Sequence, residues 1–313
     1  MPNQNGHTRS IAAPRMNAGG ALYALGATLL WSGNFIVART LNDQMPPVAM
    51  AMLRWLLASA MILPFCYGGL RRDWPAIKAH FRYYLSATLT GATLFAALLY
   101  TAAHTTAALN LTLIATSSPI LTIIMARILF KEALSPQRIA GIILTLAGVL
   151  FLAVRGDFSA LLSLGFHKGD LLMLAASMLF AVYTIQLRFR PAGASSSSFF
   201  TLMFLMALAT SLPLAAAEYA LTPDYHINFS PKVALCLLYL ALMPTIISFF
   251  WWNRSVLSIG PGNASLIYYS LPLFSGLLGW LLLHEDVNRV HLMSGAMILC
   301  GILLATRLRN GIK

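Results

Sequence analysis

The side chains best placed to handle a solute are polar and aromatic residues embedded in long apolar runs. Asn110 and Ser117 lie seven apart in one run, on one face of a helix, and Asn263 and Ser270 repeat that spacing in another. Thr112 with Thr116, and Ser265 with Tyr269, add second stripes at a spacing of four. Polar side chains facing lipid are costly, so such stripes turn inward. There they either line a translocation cavity or hydrogen-bond neighbouring helices and hold the bundle together. The residues alone leave both readings open. Trp31, Asn34, Tyr100, Tyr183, Trp252 and Tyr268 would complete a cavity with aromatic and amide surface. Trp31 and Tyr100 lie deeper than an interfacial aromatic belt requires, whereas Tyr83, Tyr84 and Tyr219 fit such a belt.

Two residues could act as charge partners for a solute. Arg54 is the one basic residue well inside an apolar run, and its guanidinium could grip a carboxylate bidentately. The favoured alternative is structural, with the guanidinium satisfying backbone carbonyls or extending outward along its own stem. His104 stands near the outer end of a run. Glu132 and Glu285 sit just before the next run begins, where capping or loop ordering suits them better than a proton relay. A proton-coupled carrier usually keeps an ionisable group buried on its pathway, and every acidic residue here falls in a loop or near a helix end.

These candidates need elements to hold them, and composition says which. The chain of 313 residues is 58% hydrophobic and 10% charged, with mean hydropathy +0.74. A soluble domain carries about 25% charged residues. Apolar runs such as 107–130 and 260–283 match the roughly 20 residues a helix needs to cross the hydrocarbon core. Spans are expected near 18–38, 46–66, 83–103, 107–129 and 137–154, then 169–189, 197–219, 233–252, 262–283 and 289–306. Ser135 followed by Pro136 is a strong helix start, since proline's missing N–H would have had no partner there.

The charge of +12 follows the same plan. With the amino terminus placed in the cytoplasm, fifteen of the 21 Lys and Arg fall on that side and five opposite, with Arg54 within a span. The positive-inside rule therefore puts both termini in the cytoplasm and favours an even number of spans. Nucleic-acid binding is not expected. Cys66, Cys236 and Cys300 have no paired spacing, so neither a disulfide framework nor a metal site is expected. No phosphate-binding loop, serine-protease motif or pair of intramembrane aspartates is present, which argues against a pump or an enzyme. A non-transporting scaffold or receptor is the remaining class.

The chain also repeats itself. At an offset of 153, Asn110 meets Asn263, Ser117 meets Ser270, Pro119 meets Pro272, Glu132 meets Glu285 and Gly148 meets Gly301. A looser offset of 149 pairs Thr28 with Ser177, Trp31 with Phe180 and Asn34 with Tyr183. Five spans per repeat is an odd number, so each helix crosses opposite to its mate. The expected architecture is an all-α membrane protein of ten transmembrane helices in two inverted-topology five-helix repeats, an arrangement suited to exposing one site to each side in turn. The expected division is a tail at 1–17, a first repeat at 18–155, a connecting loop at 156–168, a second repeat at 169–306 and a tail at 307–313.

The residues at these positions resemble a known pattern. Trp31-Ser32-Gly33-Asn34-Phe35, Pro46-Pro47 with Leu53-Arg54-Trp55, and the run through Ser118-Pro119 to Phe130-Lys131-Glu132 resemble an EamA-type repeat. Ser270-Leu271-Pro272, Leu283-His284-Glu285 and Gly301 repeat it in the second half. One departure is Ser294, where the pattern would place glycine; serine is small enough for helix packing to survive. The resemblance is to the drug/metabolite transporter superfamily. It implies a ten-helix carrier of the bacterial inner membrane, often an exporter of amino acids or related metabolites, without cofactor. Nucleotide sugars, drugs and cationic amphiphiles are the alternative cargoes. The implied partners are a small-molecule substrate and the lipid bilayer, with oligomeric state left open, a monomer included. The candidate cavity residues are then Trp31, Asn34, Tyr100, Asn110, Ser117, Tyr183, Trp252, Asn263, Tyr268, Tyr269 and Ser270, with Arg54 and His104 as charge partners.

Overall fold

Serine and proline start several helices in the way the sequence indicates. Ser135 accepts a hydrogen bond from the Arg138 N–H at 3.2 Å with Pro136 at the first helical position, and Ser230 accepts from the Val233 N–H at 3.3 Å ahead of Pro231. The computed structural model describes residues 16–41, 43–106, 108–132, 134–154, 168–222, 226–283 and 289–306. The first helices are α1 (Ala18–Thr40) and α2 (Pro47–Ala79), followed by α3 (Phe81–Thr88) and α4 (Leu94–Thr105), which a π-helical segment, Leu89–Thr93, joins into one span. Next come α5 (Ala108–Ala115) with α6 (Ser117–Phe130), and α7 (Pro136–Ala153). The second half runs α8 (Lys168–Gln186), α9 (Ser196–Leu221), α10 (Pro231–Ala241) and α11 (Ser248–Ile259) joined by a π segment at Leu242–Ile247, α12 (Pro261–Tyr268) with α13 (Leu271–Leu283), and α14 (Arg289–Thr306).

Among the described residues nine helical segments are long and apolar enough to cross a membrane, and the shorter Pro136–Leu152 supplies the tenth. The chain is an all-helical membrane protein of two five-span repeats. The helix that carries the second span, expected near 46–66, continues to Ala79. Its 33 residues make it about 50 Å long, well beyond a hydrocarbon core of roughly 30 Å, so its charged end projects past the apolar layer. Most of both tails, most of the connecting loop and Glu285 lie outside the described residues.

That projecting end has a purpose in the packing. Asp73 is buried and accepts hydrogen bonds from the Ser195 N–H at 2.9 Å and the Ser198 hydroxyl at 2.8 Å, holding the start of α9. At the far end of the same helix pair, Glu218 of α9 accepts from the N–H groups of Val48 and Ala49 at 2.9 and 2.8 Å. Pro46 and Pro47 give α2 no side-chain cap of its own, so a carboxylate from the partner helix satisfies donors a helix start leaves unpaired. Each of these two antiparallel helices thus caps the other. Glu218→Ala is expected to destabilise the protein by about 1–2 kcal/mol, the range for losing an N-terminal cap, read as a lower melting midpoint in detergent; Glu218→Gln should lose less.

The two repeats clasp each other reciprocally. A Cβ on Gly20, near the start of α1, would collide with Ser258 and Ile259 at the end of α11. A Cβ on Gly169, near the start of α8, would collide with Thr105 and Thr106 at the end of α4. Gly20 and Gly169 are 149 apart, and the residues they meet are 153 apart, the two offsets of the internal repeat. The first span of each half therefore packs mainly on the third and fourth crossings of the other half: α1 against α11, α12 and α13, and α8 against α4, α5 and α6. The last spans, α7 and α14, pack on one another through Gly141 and Gly301.

Candidate functional site

The site grows from irregularities that the helices share at repeat-related positions. The π segments begin at Leu89 and Leu242, 153 apart, in the third span of each half. Such segments are uncommon inside helices and concentrate at functional positions. In the second half the cause is Pro244, which cannot donate to the Leu240 carbonyl; the Thr245 hydroxyl donates to that carbonyl instead, at 2.7 Å. The Pro244 carbonyl then accepts from the Trp31 indole N–H at 2.8 Å. In the first half Gly91 takes the place of Pro244, and the Tyr183 ring occupies the space a side chain there would need. So the first span of each half is keyed into the π segment of the other.

The fourth spans break in the same paired fashion, at Thr116 between α5 and α6 and at Tyr269–Ser270 between α12 and α13. Pro119 and Pro272 follow three residues behind Thr116 and Tyr269, where each removes a helical donor. The chain tightens to three-residue hydrogen bonds at both breaks, Thr116 N–H to the Leu113 carbonyl at 3.0 Å and Ser270 N–H to the Ile267 carbonyl at 2.9 Å. Discontinuous spans in corresponding positions of two halves point to the binding region of transporters.

Between these irregularities lies a central cavity lined by Trp31, Asn34, Phe35, Arg54, Phe95, Leu99, Phe180, Phe249 and Tyr268. Trp31 is its centre. Its ring lies 5.2 Å from Phe180 edge-on, 5.2 Å from Trp252, and 6.0 Å from both Phe249 and Tyr268. Trp31 and Phe180 are repeat mates, so the pseudo-twofold axis passes between their rings. Trp55 and Phe204, also 149 apart, stack at 5.8 Å on the same axis. The cavity is contracted to about 10 Å³, room for about one water, whereas ligand pockets take roughly 300–1,000 Å³. A larger hollow of about 450 Å³ lies beside Tyr23, Ser196, Phe250, Trp251 and Arg254, at the face where α1 begins.

Of the expected site residues, Trp31, Asn34, Arg54 and Tyr268 line the cavity. Tyr100 stands directly behind it: its hydroxyl accepts from Arg54 at 2.7 Å and donates to the Asn34 carbonyl oxygen at 2.8 Å. Tyr183 packs against Phe180 and Phe249 at 6.0 and 5.9 Å, and Trp252 donates to the Thr184 hydroxyl at 3.3 Å. Tyr269 and Ser270 form the break in the ninth span, with the Ser270 hydroxyl donating to the Ile267 carbonyl. Ser117 sits at the matching break in the fourth span. Asn263 does not reach the cavity; its amide donates to the Ile259 carbonyl at 2.9 Å and bridges the corner between α11 and α12. His104, at the end of α4, does not line the cavity either. Asn110 belongs to α5, and its side chain lies outside the described residues.

Phe180, Phe249, Phe95, Phe35 and Leu99 complete the lining and were not expected from sequence. Phe180 carried a signal, since it is the repeat mate of Trp31; isolated phenylalanines in apolar runs carry none. Glu132 is buried and faces Arg138 at 3.6 Å, under Gly262 at the start of α12. A side chain on Gly262 would collide with both. Burial pushes the Glu132 carboxyl above its ordinary range although Arg138 draws it down. The pair ties the end of the fourth span to the start of the ninth.

Ten helical crossings, an inverted repeat and a contracted cavity on its axis define a multi-pass membrane transporter. The chain belongs to the EamA-like transporter family, whose model matches residues 18–154 and 167–307. It is 24% identical to an uncharacterized transporter of Archaeoglobus fulgidus over 89% of this chain and 94% of the relative. It is 27% identical to the uncharacterized transporter YetK of Bacillus subtilis, covering 90% and 86%. It is 25% identical to the uncharacterized inner membrane transporter YedA of Escherichia coli, covering 92% and 90%. A crystal structure of a protein 21% identical superposes with a TM-score of 0.69 over 93% of this chain and 97% of the other, which supports the fold.

Proposed function

We propose that this transporter moves small amphipathic metabolites, amino acids foremost, across a cytoplasmic membrane by alternating access around the central cavity, with both termini cytoplasmic and export the working direction. The observation that carries this reading is the reciprocal keying of each first span into the other half's π segment, Trp31 into Pro244 and Tyr183 against Gly91. Two equivalent joints on opposite sides of one axis can exchange conformations, so that whichever opens exposes the same aromatic box to its own side. The amphipathic character follows from the lining, mostly rings with a few convergent polar groups. A nucleotide sugar would call for several cations at its phosphates, and Arg54 is the one cation in this lining.

Among the described residues no carboxylate or histidine lines the cavity. Movement is therefore expected to be facilitated diffusion or exchange. Purified protein in liposomes loaded with an unlabelled amino-acid mixture should take up labelled amino acid by counterflow, saturably and equally with or without an imposed pH gradient. Uptake that needs the gradient would remove the uncoupled mechanism; no saturable counterflow of any amino acid would remove amino acids as cargo.

A further inference from the structure

Arg54 is the strongest unexplained group in the molecule. It lies seven residues inside α2, about 10 Å along the helix from its start, and is 3% exposed. A buried guanidinium is stable only when its charge and donors are matched. The protein supplies neutral groups alone: the Tyr100 hydroxyl at 2.7 Å, and the faces of Trp55 and Tyr100 at 4.3 and 5.6 Å. Among the described residues no carboxylate lies within 4 Å of it, and its Nε–H has no hydrogen-bond partner.

Its surroundings fix the side chain rather than neutralise it. Tyr100 accepts from Arg54 and donates its own O–H to the Asn34 carbonyl oxygen, so three side chains from three helices are locked in line. Two of the three, Arg54 and Asn34, line the cavity. The feature is also one-sided. Across the pseudo-twofold axis the repeat mate of Arg54 is Met203, buried and uncharged. Helix packing that needs only bulk at this position is met by methionine in one half, so the charge in the other half answers to something else.

We infer that the cavity binds a carboxylate, which the unsatisfied edge of the Arg54 guanidinium holds while an apolar or aromatic body rests among Trp31, Phe180, Phe249 and Tyr268. The inference rests on the transporter reading and narrows it. A planar guanidinium fork matches a carboxylate bidentately, the incoming anion neutralises the buried cation, and the rings accept an uncharged body at low ordering cost. A cationic amphiphile would meet a like charge in a site with little water to screen it. Both α-amino acids and simple organic acids carry the required group.

The test uses full-length protein with three probes of one shape: L-phenylalanine, 3-phenylpropanoate and phenethylamine. Each is measured as a melting shift in detergent and by counterflow in liposomes. Wild type should be stabilised by carboxylate probes and not by the amine. Phenylalanine alone would assign amino acids; 3-phenylpropanoate acting equally well would assign organic acids in general. Arg54→Gln should weaken carboxylate half-saturation tenfold or more, and Arg54→Lys should recover part of it. Tyr100→Phe leaves the cation in place, so it should weaken the carboxylate several-fold without changing the order of the probes, and it keeps the test intact should Arg54→Gln fold poorly. Carboxylate binding unchanged in a folded Arg54→Gln, or amine bound as well as acid, overturns the carboxylate site. Amine moved without acid, or no probe bound or moved, overturns it while the transporter reading stands or falls on the counterflow of the full amino-acid mixture.

Discussion

Trp31→Ala is expected to lower counterflow at least a hundredfold while the protein remains folded and monodisperse in detergent. Trp31 touches four other rings within 6.0 Å and donates to the Pro244 carbonyl at 2.8 Å. Each aromatic contact is worth about 0.5–1.5 kcal/mol and the hydrogen bond about 1 kcal/mol. Removing them takes away both the floor of the proposed solute site and the key between α1 and the opposite π segment. A loss of about 3 kcal/mol in the state that carries the solute is two decades in rate. Trp31→Phe keeps the ring and loses the N–H, so it separates the two contributions: intermediate transport assigns weight to the joint, near-complete recovery assigns it to the floor. Wild-type counterflow in Trp31→Ala would remove this cavity from the pathway.

Gly141→Leu and Gly301→Leu are each expected to cost about 1–3 kcal/mol or more of stability, the range for forcing bulk into a filled interface. A Cβ on Gly301 would stand 2.6 Å from the Thr145 nitrogen and 2.7 Å from the Gly141 carbonyl oxygen, and one on Gly141 would stand 2.6 Å from the Gly301 oxygen. These are backbone atoms on the facing helix, so no side chain can swing away; α7 and α14 must separate. Small residues let helices approach closely in a membrane, where packing rather than water expulsion drives association. Gly68→Ala is the matched control, because a Cβ there meets nothing within 4 Å and alanine favours the helix. Melting midpoints in detergent should fall clearly for the first two and hold or rise for the third. Equal midpoints for all would mean the last spans are not tightly joined.

Several pieces of this site were readable beforehand and others were not. Trp31, Asn34, Arg54 and Tyr268 could be picked out because polar and aromatic residues deep in apolar runs are expensive unless they face inward. Asn263 met the same criterion and turned out to bridge a corner, since an amide near a helix junction has a local carbonyl within reach. Phe249 and Phe95 could not be picked out, because a phenylalanine facing lipid and one lining a cavity look alike in a sequence. The full length of α2 is hidden in the sequence for a related reason. Hydropathy ends the span where charge begins, but the helix runs on, and well past that point Asp73 accepts from the Ser195 N–H at the start of α9.

The sequence by itself determined the ten crossings and the inverted repeat. Run length against bilayer thickness and residue identity at a fixed offset are properties of one dimension, and no contact is needed to read them. Only the tertiary structure decided that Trp31 meets its own repeat mate, that the first span of each half enters the π segment of the other, and that Arg54 faces a cavity with no acidic partner among the described residues. Those facts depend on which face of each helix turns toward helices some 90 to 210 residues away. Helical periodicity restricts such a face to a stripe, and packing across the axis selects one residue within it.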